Sequence, residues 1–136
     1  MGEYFQRSNG EPTLVTGHVL SQKVSQSPGA TVDVWQASPQ RALYDVQEPE
    51  QFPDMNLRAV FHTDQNGQFG FCTKKPAPYP FPTDGPVGTM LKALGRHAWR
   101  PAHLHFMISA EKHQSLTTHL FVKGDPYLKS DAGQGP

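Results

Sequence analysis

Proline and glycine divide this chain so finely that no long helix can run through it. Thirteen prolines and 12 glycines are spread over 136 residues. Between them the apolar residues recur with the short period of strands rather than the 3.6-residue period of helices. Thr13 to Leu20 and Thr31 to Gln36 read as strands; in the second, Val32 and Val34 share one face while Asp33 and Trp35 share the other. Leu57 to Phe61 and Gln68 to Cys72 flank a turn with Asn66-Gly67 at its tip, which predicts a hairpin. Ala102 to Ser109 and Thr117 to Lys123 are two further strands on either side of a polar turn. One segment is helical: Pro86 stands at a first helical position after Thr83-Asp84, Val87, Met90, Leu91 and Leu94 follow on one face, and Gly95 supplies the stop. These elements predict a mainly β chain, a β-sandwich with one short helix around residues 86–94. With no internal repeat and no boundary in composition, residues 1–136 read as a single domain, with 1–10 and 130–136 frayed.

Charge and cysteine content exclude several function classes. Twelve Lys+Arg balance 12 Asp+Glu, and no basic stripe offers itself to nucleic acid. No apolar run approaches the ~18 residues of a membrane span. The opening segment MGEYFQRSNGEP is polar and has no secretory h-region. A lone cysteine, Cys72, rules out an internal disulfide and a multi-cysteine zinc site. A cytoplasmic protein is expected.

Three local features carry chemistry. In Arg100-Pro-Ala-His103-Leu-His105-Phe, the i, i+2 spacing on a strand turns both imidazoles to one face with Met107. Leu104, Phe106 and Ile108 take the other face and read as core. Two such imidazoles can converge on one ion, or simply form a polar strand surface. Next, prolines occupy every second position from Pro76 to Pro82 around Tyr79. No two prolines in the chain are three apart, so this is no PxxP ligand; it is a stiff loop that holds Tyr79 still. The third feature is the strand and loop from Trp35 to Tyr44, whose tyrosine taken alone reads as a packed loop anchor and matters only beside the other two. Together, two tyrosines and two histidines form a candidate N2O2 donor set. Phenolate is a hard anionic donor suited to a highly charged cation, whereas zinc sites favour His, Cys and carboxylate. No carboxylate stands near the HxH to make the ferrous two-His-one-carboxylate pattern. Ferric iron fits this donor set best.

The strings Ala30-Thr-Val-Asp-Val-Trp-Gln-Ala-Ser-Pro39, Asp54-Met-Asn-Leu-Arg58, Tyr79-Pro-Phe-Pro-Thr-Asp-Gly-Pro-Val-Gly88 and Gly95-Arg-His-Ala-Trp-Arg-Pro-Ala-His-Leu-His-Phe106 closely resemble the intradiol ring-cleavage dioxygenases, in particular the catechol and hydroxyquinol 1,2-dioxygenase branch. The likeness runs from about Glu11 to Asp131 in the same order. It implies a β-sandwich catalytic domain with one Fe(III) per chain, held by Tyr44, Tyr79, His103 and His105 with a hydroxide as fifth ligand. It also implies that a catechol or hydroxyquinol binds through both oxygens, displaces the ligand matching Tyr79, and reacts with O₂ between its hydroxyl-bearing carbons. The product is of the cis,cis-muconate type, and no organic cofactor is needed. Arg100 matches an arginine that stabilises charge on the activated ring.

The departures from the family pattern set the rival readings. The family's N-terminal helical region, which forms a dimer contact and part of the pocket wall, has no counterpart ahead of the catalytic domain, and the chain stops soon after Gly124-Asp-Pro-Tyr127. A missing wall exposes apolar surface that favours self-association as a homo-oligomer. His119 stands where many relatives carry glutamine; it shares a strand face with Thr117 and Phe121 and is either a donor beside the iron or a plain strand histidine. The alternatives to an enzyme in aromatic compound catabolism are a truncated iron- or catechol-binding sandwich without turnover, and a metal-free interaction module. A zinc hydrolase indifferent to both tyrosines is a third.

Overall fold

The computed structural model describes residues 2–3, 10–39 and 57–133. In the first sheet, β2 (Pro12–His18) pairs antiparallel with β5 (Gln68–Lys74), and β1 (Gly2–Glu3) lies parallel on the other side of β5. The second sheet has the order β4-β3-β8-β9, all antiparallel, from β3 (Thr31–Trp35), β4 (Arg58–His62), β8 (His103–Ser109) and β9 (Leu116–Phe121). β6 (Tyr79–Pro80) and β7 (Trp99–Arg100) make a short ribbon, and α1 spans Pro86–Ala93. Among the described residues no helix is long and apolar enough to cross a membrane.

Strand alternation builds the core. Val32 and Val34 on β3 are completely buried, and β8 sets Phe106 opposite Val34 and Ile108 opposite Val32 on the same face. From the first sheet, Phe71 is completely buried, stacking on Phe61 at 4.9 Å, while Phe69 meets Phe106 at 6.2 Å. These rings join the two sheets. Beyond β3, the buried Gln36 donates from Nε2 to the Lys74 carbonyl (2.9 Å) and accepts from the Thr73 hydroxyl (2.7 Å). It ties the sheets at that end with its polar groups satisfied.

The hairpin expected between Leu57–Phe61 and Gln68–Cys72 does not form. The turn is present, but its two strands belong to different sheets, β4 beside β3 and β5 beside β2. Asp64 Oδ1 accepts from the Asn66 and Gln68 N–H groups (2.8 and 2.9 Å), making the reversal. Just before it, the buried Thr63 donates to the Ser27 carbonyl (2.6 Å) and accepts from the Ala30 N–H (2.8 Å), drawing the chain out of its sheet. Phe61 and Phe71 consequently face one another through the core. The turn chemistry is local, and core burial decides which strands pair.

The helix starts at Pro86 as expected, though with Gly85 rather than a side chain at its cap. It ends in a Schellman motif: Gly95 has φ +64°, its N–H donates to Lys92 O (3.1 Å), and Arg96 N–H reaches Leu91 O (2.9 Å). Of the apolar stripe only Leu91 is buried; Val87, Met90 and Leu94 are exposed. At the far end, Ser130 to Gly133 were expected to fray, yet Asp131 is buried and hydrogen-bonded. Residues 134–136 lie outside the described residues.

Truncating Phe71 to Ala removes the ring that joins the sheets and should cost roughly 3–5 kcal/mol of stability. Leu120→Ala, at a side chain 58% exposed, should change it by no more than about 0.5 kcal/mol. Urea unfolding of both variants measures the contrast; equal costs would contradict this core.

Candidate metal centre

The alternation that buries Leu104 and Phe106 turns His103 and His105 to the opposite face of the same sheet. His103 is 3% exposed. Its Nδ1 lies 2.7 Å from the Pro101 carbonyl, so Nδ1 carries the proton and donates it there. The Nε2 lone pair is left facing His105 Nε2, 3.0 Å away. Tyr79 Oη stands 3.4 Å from the same His103 nitrogen. Three donor atoms from two elements therefore converge.

The supports are built from the local sequence. His105 is opposite Trp35 in the β3–β8 register, and the two rings stack at 5.1 Å with 3° between their planes. The indole fixes the imidazole plane. Tyr79 is opposite Arg100 in the β6–β7 ribbon, and Phe81 N–H donates to Ala98 O at 2.8 Å. Along an extended strand alternate N–H groups point the same way. With proline at 78, 80 and 82, the donors kept are on the side that faces β7, and the missing ones point outward. The alternating prolines thus permit a one-sided ribbon that holds Tyr79, itself only 9% exposed.

Charge around the site is arranged by burial and pairing. Burial lowers the His103 pKa; the Pro101 carbonyl opposes this in part, and Arg100 and His119 push it further down. His105 is lowered from 6.5 to about 4 by burial and by the positive charges of His103, His119 and Arg100. Both imidazoles are thus neutral near pH 7, with lone pairs available to an ion. Arg100 Nη1 lies 3.4 Å from His103 Nε2, while its Nε and Nη2 donate to Asp131 Oδ1 and Oδ2 (3.0 and 3.3 Å). Burial alone would raise the Asp131 pKa, but the bonds from Arg100 and the Gly133 N–H outweigh it and hold the carboxyl below its usual range. Arg100 is raised: burial works against its charge, and Asp131 and Tyr79 more than offset that.

His119 is opposite His105 in the β8–β9 register. Its ring centroid is 5.5 Å from that of His103 and 5.8 Å from that of His105, and it meets Phe121 edge-on at 4.8 Å. Among the described residues no group of three His, Cys, Asp or Glu side chains is disposed to hold a metal. His119 lines the site beside the two imidazoles, and Tyr79 Oη is the oxygen that stands with them. Two neutral imidazoles beside a guanidinium supply no negative charge, so anionic oxygen ligands would favour a cation here. Tyr44, the other expected phenol, lies outside the described residues. Sequence reasoning missed two supports, Trp35 and Asp131. Trp35 was legible as the residue on the non-core face of β3, whereas a carboxylate in a short polar tail gave no signal.

The lowered imidazole pKa values carry a stability consequence for the metal-free protein. Between the ordinary value of 6.5 and about 4, the unfolded chain binds protons that folded His105 does not. Stability is therefore full above 6.5 and falls as the pH drops through that window. His105→Gln should shrink the fall in Tm of metal-stripped protein between neutral pH and pH ~5. An unchanged fall would assign the acid sensitivity elsewhere.

Comparison with known proteins places the chain in a family. The family described as Dioxygenase matches residues 3–134. A hydroxyquinol 1,2-dioxygenase of a Rhizobium species is 50% identical over 123 residues, 90% of this chain and 41% of its own length. A 6-chlorohydroxyquinol 1,2-dioxygenase of Cupriavidus pinatubonensis is 46% identical, over 92% of this chain and 45% of its own. The crystal structure of hydroxyquinol 1,2-dioxygenase from Pseudomonas putida superposes with a TM-score of 0.86 at 50% identity, covering 92% of this chain and 43% of that one. Catechol 1,2-dioxygenase from Pseudomonas arvilla superposes with a TM-score of 0.89 at 34% identity, over 96% of this chain and 42% of that one. The chain thus spans less than half the length of these relatives. It belongs to the intradiol ring-cleavage dioxygenase family.

Proposed function

We propose that the chain is the catalytic domain of an Fe(III) intradiol dioxygenase. It would cleave a catechol or hydroxyquinol between its two hydroxyl-bearing carbons with O₂, giving a cis,cis-muconate-type product. The observation that carries this reading is the convergence of Tyr79 Oη, His103 Nε2 and His105 Nε2 beside the Arg100 guanidinium. Relatives named as hydroxyquinol enzymes stand at 50 and 43% identity, and one named catechol 1,2-dioxygenase at 37%. That order favours a hydroxyquinol as the preferred ring.

A ferric ion bound to Tyr44, Tyr79, His103 and His105 supplies Lewis acidity and a template for the diol. The protein's own groups do the rest. His103 keeps its Nδ1 proton on the Pro101 carbonyl, so its Nε2 stays aligned as a ligand. Trp35 prevents rotation of the His105 ring. Tyr79 would hold the ion in the resting site and, as a phenolate, its Oη would accept one of the two hydroxyl protons of an incoming diol. Arg100 presents Nη1 to the negative charge that grows on the ring, a fixed cation in a site partly closed to water. His119 and Phe121 form a wall beside the two imidazoles.

The visible spectrum tests the reading. The iron-loaded protein should show a broad tyrosinate-to-iron band that moves to longer wavelength when catechol is added without oxygen, and admitting oxygen should give the ring-opened product. Tyr44→Phe and His105→Ala should each lower iron content. Arg100→Ala should keep iron and colour while losing turnover by roughly 10²-fold or more. Because it strands a buried carboxylate, Arg100→Lys is the companion variant. A protein that stays colourless after ferric reconstitution would refute the four-ligand assignment.

A further inference from the structure

After β9 the chain folds back along the segment that leads into the site. Val122 N–H donates to Ala102 O (2.9 Å), and Ala102 N–H donates in turn to Asp125 Oδ2 (2.9 Å). Tyr127 stacks on Trp99 at 5.4 Å with 7° between the rings, and Ala132 N–H donates to Trp99 O (3.1 Å). At the end of this brace stands Asp131, whose side chain has no exposed surface. Its backbone carbonyl accepts from Arg96 Nη2 (2.9 Å), and its Oδ1 from the Gly133 N–H (2.8 Å).

The pairing with Arg100 is side-on. Asp131 takes Nε and Nη2, so two of the three guanidinium nitrogens are committed and Nη1 is the one turned toward His103 Nε2, 3.4 Å away. Phe81 lies 5.6 Å from the guanidinium carbon and limits its swing on that side. The Gly133 backbone closes the other side: a Cβ at that position would stand 2.6 Å from Arg100 Nε. A long, flexible side chain is thereby reduced to one orientation. We infer that Asp131 is a positioning residue that aims the Arg100 guanidinium at the reacting ring. Its role in the reaction rests on the dioxygenase reading above; its role in orienting Arg100 does not.

Two measurements test it separately. In metal-free protein, the Arg100 Nε–H resonance should be resolved and slow to exchange with water. In Asp131→Ala, which removes the acceptors of both Nε–H and Nη2, it should exchange like a free arginine while the backbone signals of β8 keep their positions. Persistent protection of Nε–H in the variant would overturn the assignment. In the iron-loaded protein, Asp131→Asn and Asp131→Ala should each lower kcat by about 10²-fold with iron content and the tyrosinate band retained. Introduced into Arg100→Ala, Asp131→Ala should lower kcat no further and should recover stability, since no buried charge is then left unpaired. Additive losses in kcat would mean that Asp131 acts independently of Arg100, and the inference would fall. If wild-type protein binds no iron, the dioxygenase reading fails, and the resonance alone decides whether Asp131 orients Arg100.

Discussion

Everything in this molecule hangs on the two-residue alternation of β8. One strand supplies Leu104 and Phe106 to the apolar core and, between and beside them, His103 and His105 to the site. The same pairing with β3 serves both faces: Val34 meets Phe106 on one side, and Trp35 meets His105 on the other. Sliding β8 by one residue against its neighbours would turn histidines into the core and expose two of its larger apolar side chains. The facing of the two histidines is therefore protected by the hydrophobic stabilisation of the core, while Tyr79 is held by the proline-stiffened ribbon. Placing both histidines on a central strand also limits their freedom, and the Pro101 carbonyl and the Trp35 ring then fix their orientation.

The second constraint is electrostatic. A guanidinium beside two imidazoles makes the pocket hostile to another cation, and burial already keeps both imidazoles neutral. Anionic ligands would offset this charge for an entering cation. Asp131 offsets Arg100 from behind, at 3.0 Å and with its side chain wholly enclosed. A buried ion pair of this kind is weak support for stability, since desolvation consumes most of the Coulomb attraction. Its value lies in direction. Asp131 binds the guanidinium on the edge away from the site, so the positive charge is held without being hidden from the side where Nη1 faces His103.

How much of this was legible in the sequence follows the range of the interactions. The facing of His103 and His105 was readable because period two is a local property of a strand, and Val32 and Val34 were readable as core for the same reason. The stiff proline run was readable as a holder for Tyr79, although its partner β7 was not, because nothing local names the strand opposite. The 57–72 hairpin failed at that point: the Asn66-Gly67 turn was correct, yet its arms joined different sheets through Thr63. The stripe on α1 promised a buried face and delivered one buried side chain larger than glycine, Leu91, because periodicity shows amphipathy and not what covers it. Asp131 was lost in a stretch whose composition reads as a tail, since a contact 31 residues away leaves no trace in spacing.

The two halves of the fold are held by different forces, and this bears on how the proposed ferric centre would couple to folding. The sandwich core rests on apolar burial around Phe71, Phe106, Val32 and Val34. The site side, from the β6–β7 ribbon to the brace that ends at Asp131, rests mainly on hydrogen bonds, ring stacking and one ion pair. Such contacts contribute about 1 kcal/mol each and compete with water. Without a metal, opening of the brace requires little apolar surface to be exposed, so it is the less stable part. An ion bound by Tyr79 on the ribbon and His103 and His105 on the sheet bridges the two parts, and its binding free energy adds to the stability of the state that joins them. The core keeps β8 in register, while the proposed ion would hold the ribbon and the brace against it.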